Sequence, residues 1–451
     1  MDRQQREMAW YLVDYESECG IKGVMAYADP KLGAPEIQLP LNAKGAYKIY
    51  LGINYTKNPY AYVSYGSYGD LHVKLTRDKG FRHVGAESGA VEQPTPRGIK
   101  VASKIGMGKF VPRSIQEVYW KTAELDGQSL VIRPPGEPYR TDYPGISNLS
   151  YVRLVPEAEE DAAIRQVLQP REDTRCLAFI YCTGNLTGHI DMCSSDYHPT
   201  DREWYQTEIA QCLDNDFRIF NLEAIRGHYC VFRTELGDVG GEDNQWQDEW
   251  TDPLAEFTRV AHENGLKMFA GMRMIGTAYP TTRSPLGRAS FYWDHQEWAK
   301  RDRHGVPTGN LSIAFPEVRE YWLALLKEVL EYGVDGLTIY LHRFRPFVLW
   351  EAPVLESFRE EYGEDARELH DHEPRWLNHR ARYLTDFLSE IRELVNRFPG
   401  RELAVSFNGG PSDFDPNPEG FNPMRDALDV AAWIEKALST IFCQLCERPL
   451  P

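Results

Sequence analysis

The chain predicts two modules of different class, an all-β module followed by a module of alternating strands and helices. Three observations carry this. Residues 37–156 hold short, alternating apolar runs and no helical period. Beyond residue 174 the apolar runs become nearly continuous, and amphipathic helices separate them. Strand, helix, strand in repetition means parallel βαβ units. The predicted fold is therefore a β-sandwich over residues 1–155, a linker at 156–173, and a TIM-type β/α barrel over 174–451.

In the first module, residues 46–55, 70–78, 115–125, 128–135 and 147–156 each read as strands. Clusters of Gly, Pro, Asn and Asp separate them, as in a sandwich. Its expected role is to brace the neighbouring module. The tyrosine-rich stretch 58–70 is its best candidate for a contact surface. The acidic stretch 156–173 is helical in type.

In the second module the first strand is residues 177–184, a helix follows at 201–216, and the second strand is 217–227. Thr251 is placed as the cap of a helix that opens with Asp252 and Pro253 and ends at Asn264 and Gly265. Residues 266–274 form the third strand. Pro316 opens a helix whose Val318, Trp322, Leu325, Leu326 and Val329 share one face, and Gly333 stops it. The fourth strand is 334–344, Leu377 to Val395 mark a long helix, and the fifth strand is 402–410. Residues 424–438 read as one more helix, and the tail after them shows no further unit. A closed barrel has eight strands, so five predict an incomplete one, truncated after about five strands. No glycine-rich phosphate loop follows any strand, which speaks against a nucleotide-binding doubly wound sheet.

Composition narrows the partners. The net charge is −17, and nucleic acids and anionic membranes need basic surface. Neither is expected as a partner. The 25 Tyr, 19 Phe and 11 Trp suit stacking on sugar rings, and equally a large core. The N-terminus lacks a basic start followed by an apolar run, so a cytoplasmic setting is expected. The Cys443-x-x-Cys446 pair has no second pair beside it, and His189-x-Asp191 has no later His partners. No metal and no cofactor is expected.

Residues 291–310, 311–343 and 358–388 resemble the bacterial family-10-like glycosyl hydrolase proteins, and the first module resembles the β-sandwich that precedes their barrel. The resemblance covers most of residues 40–437 and implies a glycosidase-type barrel after the first module. Members of that family carry Asp at the end of the V-D-G strand, in V-D-G-x-x-x-D, where this chain has Tyr340.

Glycoside hydrolysis uses two carboxyl groups, and barrel sites lie at C-terminal strand ends. Two glutamates satisfy this. Glu223 ends the second strand, where burial would favour its acid form, or where it pairs with Arg226 or Arg273. Glu351 follows the fourth strand beside Trp350, or serves as a helix N-terminal charge ahead of Pro353. Tyr340, His342, Arg343, Asn408, Trp293, Trp298, Trp350 and Arg273 are the expected substrate contacts. For Trp293 and Trp298 the plain alternative is a small core within their own loop. The function expected is a carbohydrate-active hydrolase working by carboxylate acid/base chemistry. The alternatives are a non-catalytic carbohydrate-binding or scaffold protein, or an inactive truncated gene product.

Overall fold

The computed structural model describes residues 10–17, 22–28, 34–55, 71–84, 99–101, 114–134, 147–167, 177–181, 202–213, 216–226, 229–239, 252–274, 290–341, 346–408, 423–439 and 441–445. The chain divides into two compact units. The first is Met1–Arg175 with Gly188–Tyr197 and Asp201–Asp216, and the second is Cys176–Thr187 with His198–Thr200 and Phe217–Pro451.

Among the described residues the first unit carries three antiparallel sheets. One is built from β1 (Tyr11–Ser17), β2 (Lys22–Ala28), β7 (Ile99–Val101) and β10 (Ser147–Leu149). A second takes β3 (Ile37–Pro40), β5 (Leu71–Leu75), β6 (Arg82–Val84) and β9 (Ser129–Arg133). The third places β4 (Ala46–Tyr55) between β8 (Ser114–Glu124) and β11 (Tyr151–Pro156). Alternation explains the packing. Ile49, Leu51 and Ile53 of β4 point to the side where Leu71, Val73 and Leu75 of β5 and Leu130 and Ile132 of β9 are buried, so the last two sheets share one core. Helix α1 (Glu159–Val167) follows β11, and Lys48 of β4 binds its Asp161 at 2.7 Å. The expected linker is thus partly an anchored helix. Residues 58–70 lie outside the described residues.

Helix α2 (Arg202–Ala210) is shorter than expected and clusters with the first unit. Arg133 bonds its Thr207, Gln211 bonds the Phe81 carbonyl, and Arg82 bonds the Leu213 carbonyl.

Among its described residues the second unit holds a curled sheet of six parallel strands: β12 (Leu177–Tyr181), β13 (Phe217–Arg226), β16 (Lys267–Arg273), β19 (Gly336–Tyr340), β20 (Glu402–Asn408) and β21 (Ile441–Leu445). Two short strands, β14 (Tyr229–Cys230) and β15 (Asp238–Val239), extend it beside β13. Each long strand pairs with the next one in the chain. Sequential order is barrel winding; a doubly wound sheet reverses direction at its midpoint. The tail does contain a unit that sequence reading missed, since β21 pairs with β20 along its whole length.

Helices cover the strands. In α3 (Pro253–Glu263) the cap is Asp252, one residue later than expected; its side chain accepts from Ala255 N at 3.1 Å. Helix α4 (Ser290–Asp294) and the hairpin β17 (Ala299–Arg301) and β18 (Pro307–Leu311) fill the loop after β16. In α5 (Pro316–Glu331) the predicted stripe from Val318 to Val329 is buried. Helix α6 (Ala352–Tyr362) and the long α7 (Pro374–Asn396) come before β20. The helix expected over 424–438 is broken into a 3₁₀ turn at Pro423–Asp426 and the short α8 (Val430–Glu435), where Asp429 caps by accepting from Ala432 N. Among the described residues no helix is long and apolar enough to cross a membrane.

Candidate functional site

The two faces of the parallel sheet differ in chemistry. Leu222, Ala270, Met272, Leu337, Ile339, Leu403 and Val405 form one face and are all buried hydrophobics. Every second residue between them belongs to the other face: Asn221 and Glu223, Gly271 and Arg273, Thr338 and Tyr340, Ala404 and Ser406. Register sets them in rows. Glu223 stands opposite Gly271, Gly271 opposite Thr338, and Thr338 opposite Ala404. Nearer the C-terminal strand ends, Arg273 stands opposite Tyr340, and Tyr340 opposite Ser406. A bulge after Glu223 shifts the register before Ile225, a feature common beside active sites.

Polar side chains on this second face bond one another. Arg273 Nη2 donates to Glu223 Oε2 at 2.6 Å, with side-chain exposures of 7% and 1%. Asn221 Nδ2 donates to Thr338 Oγ1 at 2.9 Å. The Tyr340 ring lies over Gly271: a Cβ at Gly271 would come within 2.3 Å of Tyr340 Cε2. Gly271 is the register partner of Glu223 on β13.

Glu351 occupies a second cluster in the loop after β19. It is fully buried and is the N-cap residue of α6, and its Oε2 accepts from Leu349 N at 2.8 Å. Burial pushes its pKa above the ordinary carboxylate value, against the opposing pull of its own and the Leu349 amide, Lys300 and Ser312. Lys300 of β17, also buried, donates to the Pro346 carbonyl at 2.9 Å, and burial pushes its pKa down. Arg380 of α7 donates to the Val348 and Arg425 carbonyls, both at 3.0 Å. Trp350 packs between Arg303, at 5.3 Å, and Arg380, at 5.8 Å, with Trp376 at 5.8 Å.

The remaining expected contacts divide. Trp298 is stacked on His295 at 4.1 Å, and Phe291 packs against both. Phe291 in turn stacks on Tyr321 of α5 at 3.6 Å, which gives this loop its own small core. Trp293 is 46% exposed. Asn408 ends β20, and its side chain is outside the description. His342 and Arg343 lie outside the described residues, as do His189, Asp191 and Cys446. Among the described residues no group of three His, Cys, Asp or Glu could hold a metal.

Sequence reading missed Asn221, Thr338, Ser406, Lys300 and Arg380. The first three had a signal. In strands classed as continuously apolar, N-x-E, T-x-Y and S-x-N place a polar group at every second residue, all on one face. Lys300 and Arg380 had none, because their burial depends on a hairpin and a helix meeting the loop after β19.

A scan against known protein families finds no match. A search of the curated proteins finds none either. Among solved structures the chain is similar to an α-galactosidase from Thermus thermophilus at 14% identity and TM-score 0.28, over 88% of this chain and 70% of that one. It is similar to a cycloisomaltooligosaccharide glucanotransferase from Paenibacillus sp. at 12% identity and TM-score 0.33, over 89% of this chain and 45% of that one. It is also similar to an α-L-fucosidase from Bacteroides thetaiotaomicron at 11% identity and TM-score 0.29, over 52% and 48% of the two chains. Likenesses this distant carry no assignment of activity.

Proposed function

We propose that the second unit is a carbohydrate-active hydrolase whose reaction centre is the polar face around Glu223. The observation that carries this reading is the buried Glu223–Arg273 pair at 2.6 Å, near the C-terminal strand ends of a sequentially wound parallel sheet. A buried ion pair adds little net stability over an apolar replacement, so its presence needs another reason. Barrel enzymes do their chemistry at this end of the strands.

The two glutamates have different surroundings, and such differences are what set two carboxyl groups to different roles. Glu223 sits against a guanidinium and is placed to act as a carboxylate, the nucleophile or the base. This role is offered in place of the acid role expected from the sequence. Glu351, fully buried and with its pKa raised, is suited to hold the proton that the leaving sugar oxygen needs. Tyr340 and Arg273 would orient the sugar, with Trp293 as an exposed ring for stacking. The resemblance to family-10-like glycosyl hydrolases belongs to this proposal. Its support is the strand order and the strand-end carboxyl group.

The test is turnover of a panel of aryl glycosides and soluble polysaccharides by the full chain and by its Glu223→Gln and Glu351→Gln variants. Activity on one substrate that both substitutions abolish is expected. Full activity in the double variant overturns the assignment.

A further inference from the structure

We propose that the outward face of the β11–β4–β8 sheet is a separate binding site for an extended, uncharged oligosaccharide. Residues of these strands alternate between core and solvent. Ile49, Leu51, Val118, Val152 and Leu154 pack into the shared core. Tyr50, Gly52, Glu117, Tyr119, Tyr151 and Arg153 fall on the other side. Register sets the second group in two rows: Tyr119, Tyr50 and Arg153 in one, Glu117, Gly52 and Tyr151 in the next.

The face is flat, aromatic and held in place. A Cβ at Gly52 would lie 2.5, 2.6 and 2.7 Å from Tyr151 Cε1, Cδ1 and Cζ, so the ring lies across that position. Glycine in the middle of a central strand is unfavourable by itself, and here it lets the phenol lie flat on the sheet. Covering a strand glycine with an aromatic ring is also a structural device. That accounts for Tyr151 but not for Tyr119, which is 52% exposed. The Tyr151 hydroxyl donates to Glu117 Oε2 at 3.1 Å, and Arg153 holds the same carboxylate through Nε, at 2.8 Å, and Nη2. The Arg153 guanidinium stands 4.4 Å from the Tyr50 ring centre, and Tyr50 meets Tyr119 edge-on at 5.5 Å. The Tyr119 hydroxyl shares a hydrogen bond with Thr122 at 2.9 Å.

This chemistry matches a sugar chain. The C–H face of a pyranose stacks on exposed rings, and its hydroxyls bond the carboxylate, guanidinium and phenol edges between them. Glu117 is balanced by Arg153 and Lys48 by Asp161, which favours a neutral ligand over a charged one. An apolar protein surface laid on the same face would have to desolvate those ion pairs without bonding them, which is unfavourable. The rings and fork are fixed before binding, so little side-chain freedom is lost.

The test uses the full chain carrying Glu223→Gln, so that no bound glycan is consumed. Its binding to cellohexaose, xylohexaose, mannohexaose, laminarihexaose and maltohexaose is measured by calorimetry. One of these is expected to bind, and Tyr119→Ala to weaken it roughly tenfold. Since Tyr119 is 52% exposed, the substitution should move the melting temperature little. Tyr151→Ala should weaken binding similarly. Failure of all five sugars to bind overturns the proposal. So does binding that survives in the Tyr119→Ala, Tyr151→Ala protein but is lost with Arg273→Met, since the sugar then sits at the strand ends. A dimer in light scattering that Tyr119→Ala dissolves would show a second copy of the chain as the occupant instead. A wild-type chain without hydrolytic activity would sink the reaction proposed for Glu223 and leave tyrosine-dependent binding standing.

Discussion

Gly271→Ala is the sharpest probe of the polar face. The added methyl would stand 2.3 Å from Tyr340 Cε2 and 2.7 Å from the Thr338 carbonyl oxygen. Unstrained carbon contacts run at about 3.5–4.0 Å, so the ring must retreat by roughly 1.2 Å. The carbonyl belongs to the neighbouring strand β19 and cannot move without stretching the ladder between Gly271 and Thr338. Overpacking of this kind costs about 1–3 kcal/mol, and the backbone contact puts this site near the upper end. A loss of about 3 kcal/mol lowers the melting temperature by roughly 6–12 °C in a domain of this size. The assay is thermal unfolding of a double-mutant cycle with Tyr340→Ala. Removing the ring opens space for the methyl, so the double variant should lose about 1 kcal/mol less than the two single losses added together. Strict additivity, or a Gly271→Ala protein as stable as wild type, would refute the packing of Tyr340 over Gly271.

Four further outcomes follow from the same structure. Phe257→Ala removes a fully buried ring stacked on Phe220 at 5.0 Å and should cost about 3–5 kcal/mol in chemical denaturation. Asp252→Ala loses the α3 cap, leaves Arg233 N without its acceptor and removes the shorter of the two hydrogen bonds of the Tyr332 hydroxyl; about 2 kcal/mol, the upper end for a cap, is expected from the same measurement. His379 bonds Ser357 at 2.8 Å, and burial, with Arg382 beside it, lowers its pKa while Glu361 opposes. A histidine held neutral contributes stability that is fully present above its unfolded pKa of about 6.5 and declines as pH falls from there toward its folded value. Amide protection factors in α6 and α7, taken relative to the intrinsic exchange rate at each pH, should therefore fall below about pH 6.5, and His379→Gln should flatten that trend. Burial pushes the Cys212 thiol up to about 12 and the Cys230 thiol well above its ordinary value, so neither should be alkylated in the native protein at pH 8, as read by peptide mass spectrometry.

Much of the fold was legible because periodicity reports burial directly. Residues 46–55 alternate and form β4; Pro316 and the Val318–Val329 stripe define α5. The barrel winding was legible in class but not in extent. Ile441–Leu445 is a strand only because β20 offers it an edge, and five residues of mixed character carry no period of their own. Residues 424–438 kept a helical pattern, yet only Val430–Glu435 forms a regular helix. The break between the two turns falls at Ala427, where φ is +64°, a conformation that a helical reading does not anticipate. At the site, Glu223 and Arg273 were read as a possible pair and are one. Reading buried strands as uniformly apolar hid Asn221, Thr338 and Ser406. Glu351 does stand at the start of a helix, as its position ahead of Pro353 implies. The buried Lys300 and Arg380 beside it come from distant parts of the chain, and no local pattern predicts that meeting.

The central claim is that Glu223 carries the reaction as a carboxylate, and chemical rescue tests it most directly. On the best aryl glycoside of the panel, Glu223→Ala should lower turnover by roughly 10²- to 10⁴-fold, and added azide or formate should restore part of it by standing in for the missing carboxylate. Wild-type turnover in the Glu223→Ala protein, with no response to either anion, would contradict the account.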